Sequence, residues 1–275
     1  MNLFKMRNFK PMELLEIKEP FNSKDYIYEL KFDGIRALMF VNKSECYLQS
    51  RNQNNLTNKF SNIVYKTKTD VIFDGEIIAL KNGKPSFAAL KDHEAIFMAF
   101  DIIYENKDLT NLPLITRKKI LNKYADNDFF IKVKFVEEKG KELFKKVQKL
   151  NLEGIVIKNK NGFYHINERT DDFIKVKNIH ENTFYIGGYI KNKTSYSLLI
   201  GEFINDNFIY LGKVVVNKSD QIITKIKSLN KIKNPFVNYS NNGIFIKPIL
   251  KCKIAYLEKT NSNKLRHPIF RGETC

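Results

Sequence analysis

The chain has 275 residues, room for one large or two modest domains, and its 43% hydrophobic and 13% aromatic content can build real cores. It carries 47 Lys and Arg against 30 Asp and Glu, a formal net charge of +17, so an anionic polymer is the first partner to consider. Three widely spaced cysteines (Cys46, Cys252, Cys275), four scattered histidines, no Cys-x-x-Cys pair and no membrane-length apolar run argue against a zinc site, a disulfide framework or a membrane span.

The basic residues are spread along the chain rather than gathered beside one apolar segment, which disfavours a membrane surface. No signal-like leader stands at the N-terminus, and the expected location is a reducing cytoplasm, bacterial or viral.

In chain order, apolar runs predict strands over 26–32, 37–41, 45–50, 71–80, 96–104, 154–158 and 172–177, with helices over 115–124 and 138–150. The second helix places Leu143, Phe144, Val147 and Leu150 on one face and Lys141, Lys145 and Lys149 on another. The polar segment Asn178–Asn182 reads as a hinge linker. Beyond it come strands over 183–190, 196–204, 207–216, 244–247 and 250–257, and a helix over 219–229 carrying Ile222, Ile223, Ile226 and Leu229. Five short strands and one helix in under a hundred residues suit a small closed barrel of the OB type.

The stretch Glu29-Leu30-Lys31-Phe32-Asp33-Gly34-Ile35-Arg36 carries the first chemical signal. Alternation sends Tyr28, Leu30 and Phe32 inward and leaves Glu29, Lys31 and Asp33 on the other face. A lysine held among charged groups, beside a glycine that lets phosphates approach the backbone, is a candidate covalent nucleophile. A solvated Lys-Asp turn is the plain alternative, and the later segments decide against it.

Ser50-Arg51-Asn52-Gln53 ends a strand and offers an arginine to a phosphate or sugar. In Phe73-Asp74-Gly75-Glu76, two carboxylates share an apolar strand and need a ribose hydroxyl, a metal or a lysine opposite them. Glu153-Gly154-Ile155-Val156-Ile157-Lys158 sets a glutamate just ahead of a buried strand, well placed for Mg²⁺. Strict alternation puts Glu153 and Lys158 on opposite faces unless Gly154 turns the chain or the lysine reaches round the strand end. In Asp172-Phe173-Ile174-Lys175-Val176-Lys177 the two lysines share a face and would repel without a polyanion between them, for which a triphosphate is the natural candidate.

Taken together and in this order, Lys-x-Asp-Gly-x-Arg, Ser-Arg-Asn, Asp-Gly-Glu, Phe-Asp-Ile-Ile-Tyr, Glu-Gly-Ile-Val-Ile-Lys and Lys-x-Lys resemble the covalent nucleotidyltransferases, specifically the ATP-dependent DNA ligases. The resemblance spans about Tyr26 to Phe270. It implies an α+β chain: a nucleotidyltransferase (ATP-grasp-like) domain of antiparallel sheets with helices over 1–180, then an OB-fold β-barrel over 181–275. It further implies that Lys31 becomes adenylylated and that Glu29 reads the adenine amino group. By the same resemblance Arg36, Arg51 and Glu76 contact ribose and phosphate, and Phe100 stacks on adenine. Glu153, with Glu76, is a metal ligand, and Lys158, Lys175 and Lys177 surround the ATP phosphates. Whether Phe100 is instead plain core is not decided by periodicity.

The implied cofactors are ATP and Mg²⁺, with Mn²⁺ as an alternative, and the implied partner is nicked double-stranded DNA bound by a monomer. Only thirty residues precede Lys31, which favours ATP over NAD⁺. Phe184-Tyr185-Ile186-Gly187-Gly188-Tyr189 and Tyr210-Leu211-Gly212-Lys213-Val214 resemble the ligase OB domain. One departure stands out. The family's closing Arg-x-Asp-Lys-like element has only its lead-in, Leu265 to Gly272, with Arg271 as a stand-in for the arginine. That puts the efficiency of self-adenylylation in question. The rival readings are an RNA ligase or capping-type guanylyltransferase of the same superfamily, and a nick-binding protein without catalysis.

Overall fold

The computed structural model describes residues 2–260 and 262–274; Cys275, with which the C-terminal reading ends, lies outside them. The chain divides into two compact units, Met1–Asn178 and Ile179–Cys275.

The first unit opens with α1 (Leu3–Met6) and β1 (Glu13–Glu16), followed by β2 (Tyr26–Lys31), β3 (Ile35–Val41), β4 (Cys46–Ser50) and β5 (Val71–Ile78). The small hairpin β6 (Leu80–Lys81) and β7 (Lys84–Pro85) and a 3-10 turn at Phe87–Lys91 lead into β8 (Ile96–Glu105). Then come α2 (Leu114–Leu121), β9 (Phe130–Lys132), β10 (Phe135–Glu137), α3 (Gly140–Lys149), β11 (Gly154–Asn159) and β12 (Arg169–Lys177).

Two five-stranded sheets result, one ordered β1-β12-β11-β2-β10 and the other β4-β3-β5-β8-β9. Neither is purely antiparallel, contrary to expectation, because β1 runs parallel to β12 and β9 parallel to β8. Strand alternation sorts the cores. Ile27, Leu38, Phe40, Ile72, Ile103 and Phe173 meet in a cluster fed by both sheets, while Tyr28, Ile155, Ile157 and Val176 turn the other way against Phe144 and Val147 of α3. The outer face of the second sheet is covered by Phe60, Ile63, Tyr65 and Leu121.

Two expectations fail here for local reasons. Leu150 does not join the buried face of α3; it lies past the last turn and is exposed. Phe32 lies beyond the end of β2, escapes the alternation and lines a cleft instead of the core. Gly34 is required by its own fold, since a Cβ there would stand 2.2 Å from the Ile77 carbonyl oxygen of β5.

The second unit comprises β13 (His180–Lys191), β14 (Ser195–Ile204), β15 (Asn207–Asn217), α4 (Gln221–Ser228), β16 (Ile244–Phe245), β17 (Lys251–Tyr256) and β18 (Ile269–Thr274). Its sheet runs β15-β14-β13-β17-β18, with β16 added to β13. Ile222, Ile223 and Ile226 of α4 enter its core. Among the described residues no ladder joins β15 to β18, so the expected closed barrel is not seen. The expected linker is also shorter than its polarity suggested: His180, Glu181 and Asn182 already pair with Tyr256, Ala255 and Ile254.

Candidate active site

Three adjacent strands set the site out in rows. On β2, β11 and β12, Lys31 is opposite Gly154 and Gly154 opposite Lys177; Glu29 is opposite Val156 and Val156 opposite Lys175; Lys158 is opposite Phe173. Residues in register share a face, so this ladder brings together side chains separated by more than a hundred positions. A narrow cleft, with a cavity volume of about 50 Å³, is lined by Glu29, Lys31, Arg36, Glu76, Phe100 and Lys158, among others.

Lys31 Nζ lies 2.6 Å from Glu153 Oε1. Gly154, next in the chain, has a φ of +156°, and a Cβ there would meet the Val176 carbonyl oxygen of β12 at 2.2 Å. Glu153 and Lys158 are not paired with each other. Lys158 instead reaches Glu29 Oε2 at 2.7 Å and is almost wholly buried. Its ammonium also stands 4.2 Å from the centre of the Phe100 ring and 4.8 Å from that of Phe173. Burial draws Lys158 down to about 8, assisted by the charge of Lys118 and opposed by that of Glu29.

Arg36 makes two bonds to Asp74, at 3.0 and 2.7 Å, and its guanidinium stands 5.2 Å from the Phe100 ring centre. Burial works against its charge, yet Asp74 outweighs burial and keeps it firmly protonated. Asp74 accepts a further bond from the Tyr164 hydroxyl at 2.7 Å. The partner that Asp74 needs is therefore an arginine and a tyrosine. Glu76 differs: burial pushes it up to about 8, with Lys31 and Arg36 opposing and Glu153 and Asp74 adding to the rise. A carboxyl crowded by a second carboxylate suits a hard cation, which takes one or two such ligands plus phosphate and water oxygens. Among the described residues no group of three or more His, Cys, Asp or Glu side chains is arranged to hold a metal by itself.

Phe100 is half-buried and faces the cleft rather than the core. Arg51 stays outside, more than half exposed and paired with Glu13, which also holds Arg169. Lys175 and Lys177 lie on β12, in register with the cleft residue Val156 and with Gly154. The anion between them is Glu16 of β1, 3.3 Å from Lys175 and 2.9 Å from Lys177.

Sequence reasoning missed Lys118, Tyr164 and Glu16. Lys118 of α2 is buried against Glu29, and an inward-facing lysine between a buried Arg117 and an exposed Lys119 left no pattern to read. The tyrosine and Glu16 lie in segments without a motif. A buried pair, Arg117 with Asp101, bonds twice at 2.9 and 3.0 Å and anchors α2 to β8.

Residues 9–177 match the family described as ATP dependent DNA ligase domain. Over 274 residues the chain is 33% identical to the SPbeta prophage-derived DNA ligase-like protein LigB of Bacillus subtilis, covering 95% of this chain and 97% of that one. It is 25% identical to the multifunctional non-homologous end joining protein LigD of Mycolicibacterium smegmatis over 92% of its own length, but spans only 36% of that larger protein. Among solved structures, mycobacterial DNA ligase D complexed with ATP and MES shares the fold with a TM-score of 0.61 at 23% identity, covering 98% of this chain and 95% of that one. From its sequence match and the cleft built around Lys31, the chain belongs to the ATP-dependent DNA ligases.

Proposed function

We propose that this ligase seals nicks in duplex DNA through an AMP carried on Lys31. The observation that carries the reading is the placement of Lys31 at the cleft, ion-paired to Glu153, with Glu29, Lys158 and Phe100 forming the wall beside it.

In the first step the Lys31 amine, having lost its proton, attacks the α-phosphorus of ATP. A P–N bond forms, the P–O bond to pyrophosphate breaks, and AMP remains on the lysine. Phe100 offers its face to the base, Glu29 accepts from the adenine amino group, Arg36 serves sugar and phosphate, and Arg51 joins it only on leaving Glu13. Lys158, Lys175 and Lys177 neutralise phosphate charge, for which Glu16 must give way. Glu76 and Glu153 are the groups fitted to hold Mg²⁺, which when bound neutralises phosphate charge. The AMP then passes to the 5′-phosphate of a nick, and attack by the 3′-hydroxyl joins the strands and releases AMP.

The net charge of +17 supports phosphate-backbone contact with nicked duplex, bound by a monomer. Residues 1–180 act as the adenylation domain in this reading. The second unit, residues 181–275, serves as an OB-type domain, a reading supported by its six-stranded sheet with one packed helix. Arg271, paired with Glu181 at 3.4 Å, is the stand-in for the family's closing arginine.

The test is incubation with α-labelled ATP and Mg²⁺, wild type against Lys31→Ala, then a chase with nicked duplex. Label that survives denaturation, requires Lys31 and leaves as sealed product appears is the expected result. Nick binding with neither adduct nor sealing would overturn it in favour of a binding protein.

A further inference from the structure

Glu29 has each carboxylate oxygen taken by a different lysine: Oε1 by Lys118 and Oε2 by Lys158 at 2.7 Å. All three side chains are nearly dry, between 2% and 4% exposed. Glu29 and Lys158 line the cleft, whereas Lys118 stands behind Glu29, reaching it from α2. A carboxylate this buried needs partners for its charge, and it offers a ligand acceptors only.

The two lysines differ in their other commitments. Lys158 is shared with the rings of Phe100 and Phe173 and faces the cleft, so a bound ligand competes for it. Lys118 has one ring neighbour, Phe135 at 5.7 Å, and its carboxylate partner is Glu29. The anchoring of α2 through Arg117 and Asp101 fixes the neighbouring residue and so the reach of Lys118.

We propose that Lys118 is a positioning and specificity-determining residue. By holding the Glu29 carboxylate aimed at the cleft, it makes the site select a purine bearing an exocyclic amino group over one bearing a carbonyl at that position. The inference rests on the reading of the cleft as an ATP site and names a residue that acts on the base through Glu29. The carboxylate repels a carbonyl oxygen and accepts from an amine. Without Lys118 the carboxylate loses the partner that aims it at the cleft, and the discrimination fades.

The experiment compares ATP with inosine triphosphate, whose base carries a carbonyl where adenine carries the amino group. Binding of both is read by equilibrium dialysis in a Lys31→Ala background, so selectivity is measured whether or not an adduct forms. Failure of the adduct would sink the Lys31 chemistry alone. Lys118→Met is expected to weaken ATP binding roughly ten- to hundredfold and to narrow the ATP-to-inosine-triphosphate ratio, and Lys118→Arg to restore both. Lys118→Met combined with Glu29→Gln leaves no unpaired buried carboxylate and still lacks the preference for ATP, with folding checked by urea unfolding. A folded Lys118→Met protein with unchanged selectivity would overturn the proposal. So would equal weakening toward both nucleotides.

Discussion

Lys31 and Glu153 form an ion pair of 2.6 Å at one end of the three-strand ladder, with both side chains mostly withdrawn from solvent. In this state the lysine is held as an ammonium, and an ammonium does not attack phosphorus. In the proposed reaction Glu153 therefore has to release the amine when ATP and its cation arrive. The same carboxylate that parks the nucleophile is the one suited to the cation.

Glu153→Gln separates those duties. It keeps shape and hydrogen-bonding reach but gives up the charge that neutralises the cation. Single-turnover labelling of Lys31 with α-labelled ATP is expected to slow by roughly 10²–10³-fold, with the unfolding midpoint little moved. An unchanged rate would remove Glu153 from the reaction.

Glu16 gives a prediction of opposite sign. Its carboxylate bridges Lys175 and Lys177 from a half-exposed position, where an ion pair contributes at most about 1 kcal/mol. Glu16→Gln frees both lysines for phosphate. Inhibition by pyrophosphate should tighten by a few-fold, about what 1 kcal/mol allows, and the gain should shrink as salt is raised. Weaker inhibition would mean that Glu16 aligns the lysines instead of competing for them.

Gly34 tests the backbone. A methyl group there would stand 2.2 Å from the Ile77 oxygen and 2.9 Å from Glu76 Cγ. Gly34→Ala is expected to lower stability by about 3 kcal/mol, read from urea unfolding, and to displace Glu76 from the cleft. A wild-type midpoint would show that β3 and β5 can separate at no cost.

Lys158 predicts a pH dependence. Burial lowers it from 10.5 to about 8, so between those values the unfolded chain binds a proton that the folded chain does not. Stability therefore rises with pH across that window. Relative to Lys158→Met, wild type should gain on the order of 3 kcal/mol between pH 8 and 10.5. Parallel urea midpoints for the two proteins over this range would contradict the shift.

The motifs around Lys31, Glu153, Lys175 and Lys177 were legible because each sits at or beside a short strand whose apolar alternation announces it, and the ladder then brings them into register. What could not be read were partnerships across elements. Asp74 called for an opposite charge, but nothing local said that Arg36 and Tyr164 would supply the bonds. The need for an anion between Lys175 and Lys177 was visible, yet Glu16 comes from β1, a four-residue strand too short to show a period. Closure of the second unit was inferred from strand count, and strand count does not say whether the outer strands meet. Arg51 looked like a cleft residue through its motif alone, while Glu13 holds it outside.

The pairings at the cleft also set an order of assembly. Glu29 meets Lys118 across 89 positions, and Lys31 meets Glu153 across 122. Contacts this distant in sequence close late, after nearer strands have docked. During synthesis β2 leaves the ribosome with Glu29 and Lys31 bare, and neither gains its partner until most of the first unit has followed. A nascent chain that stops before β11 therefore has no place to hold a nucleotide, and the capacity to bind ATP is acquired only as the first unit nears completion.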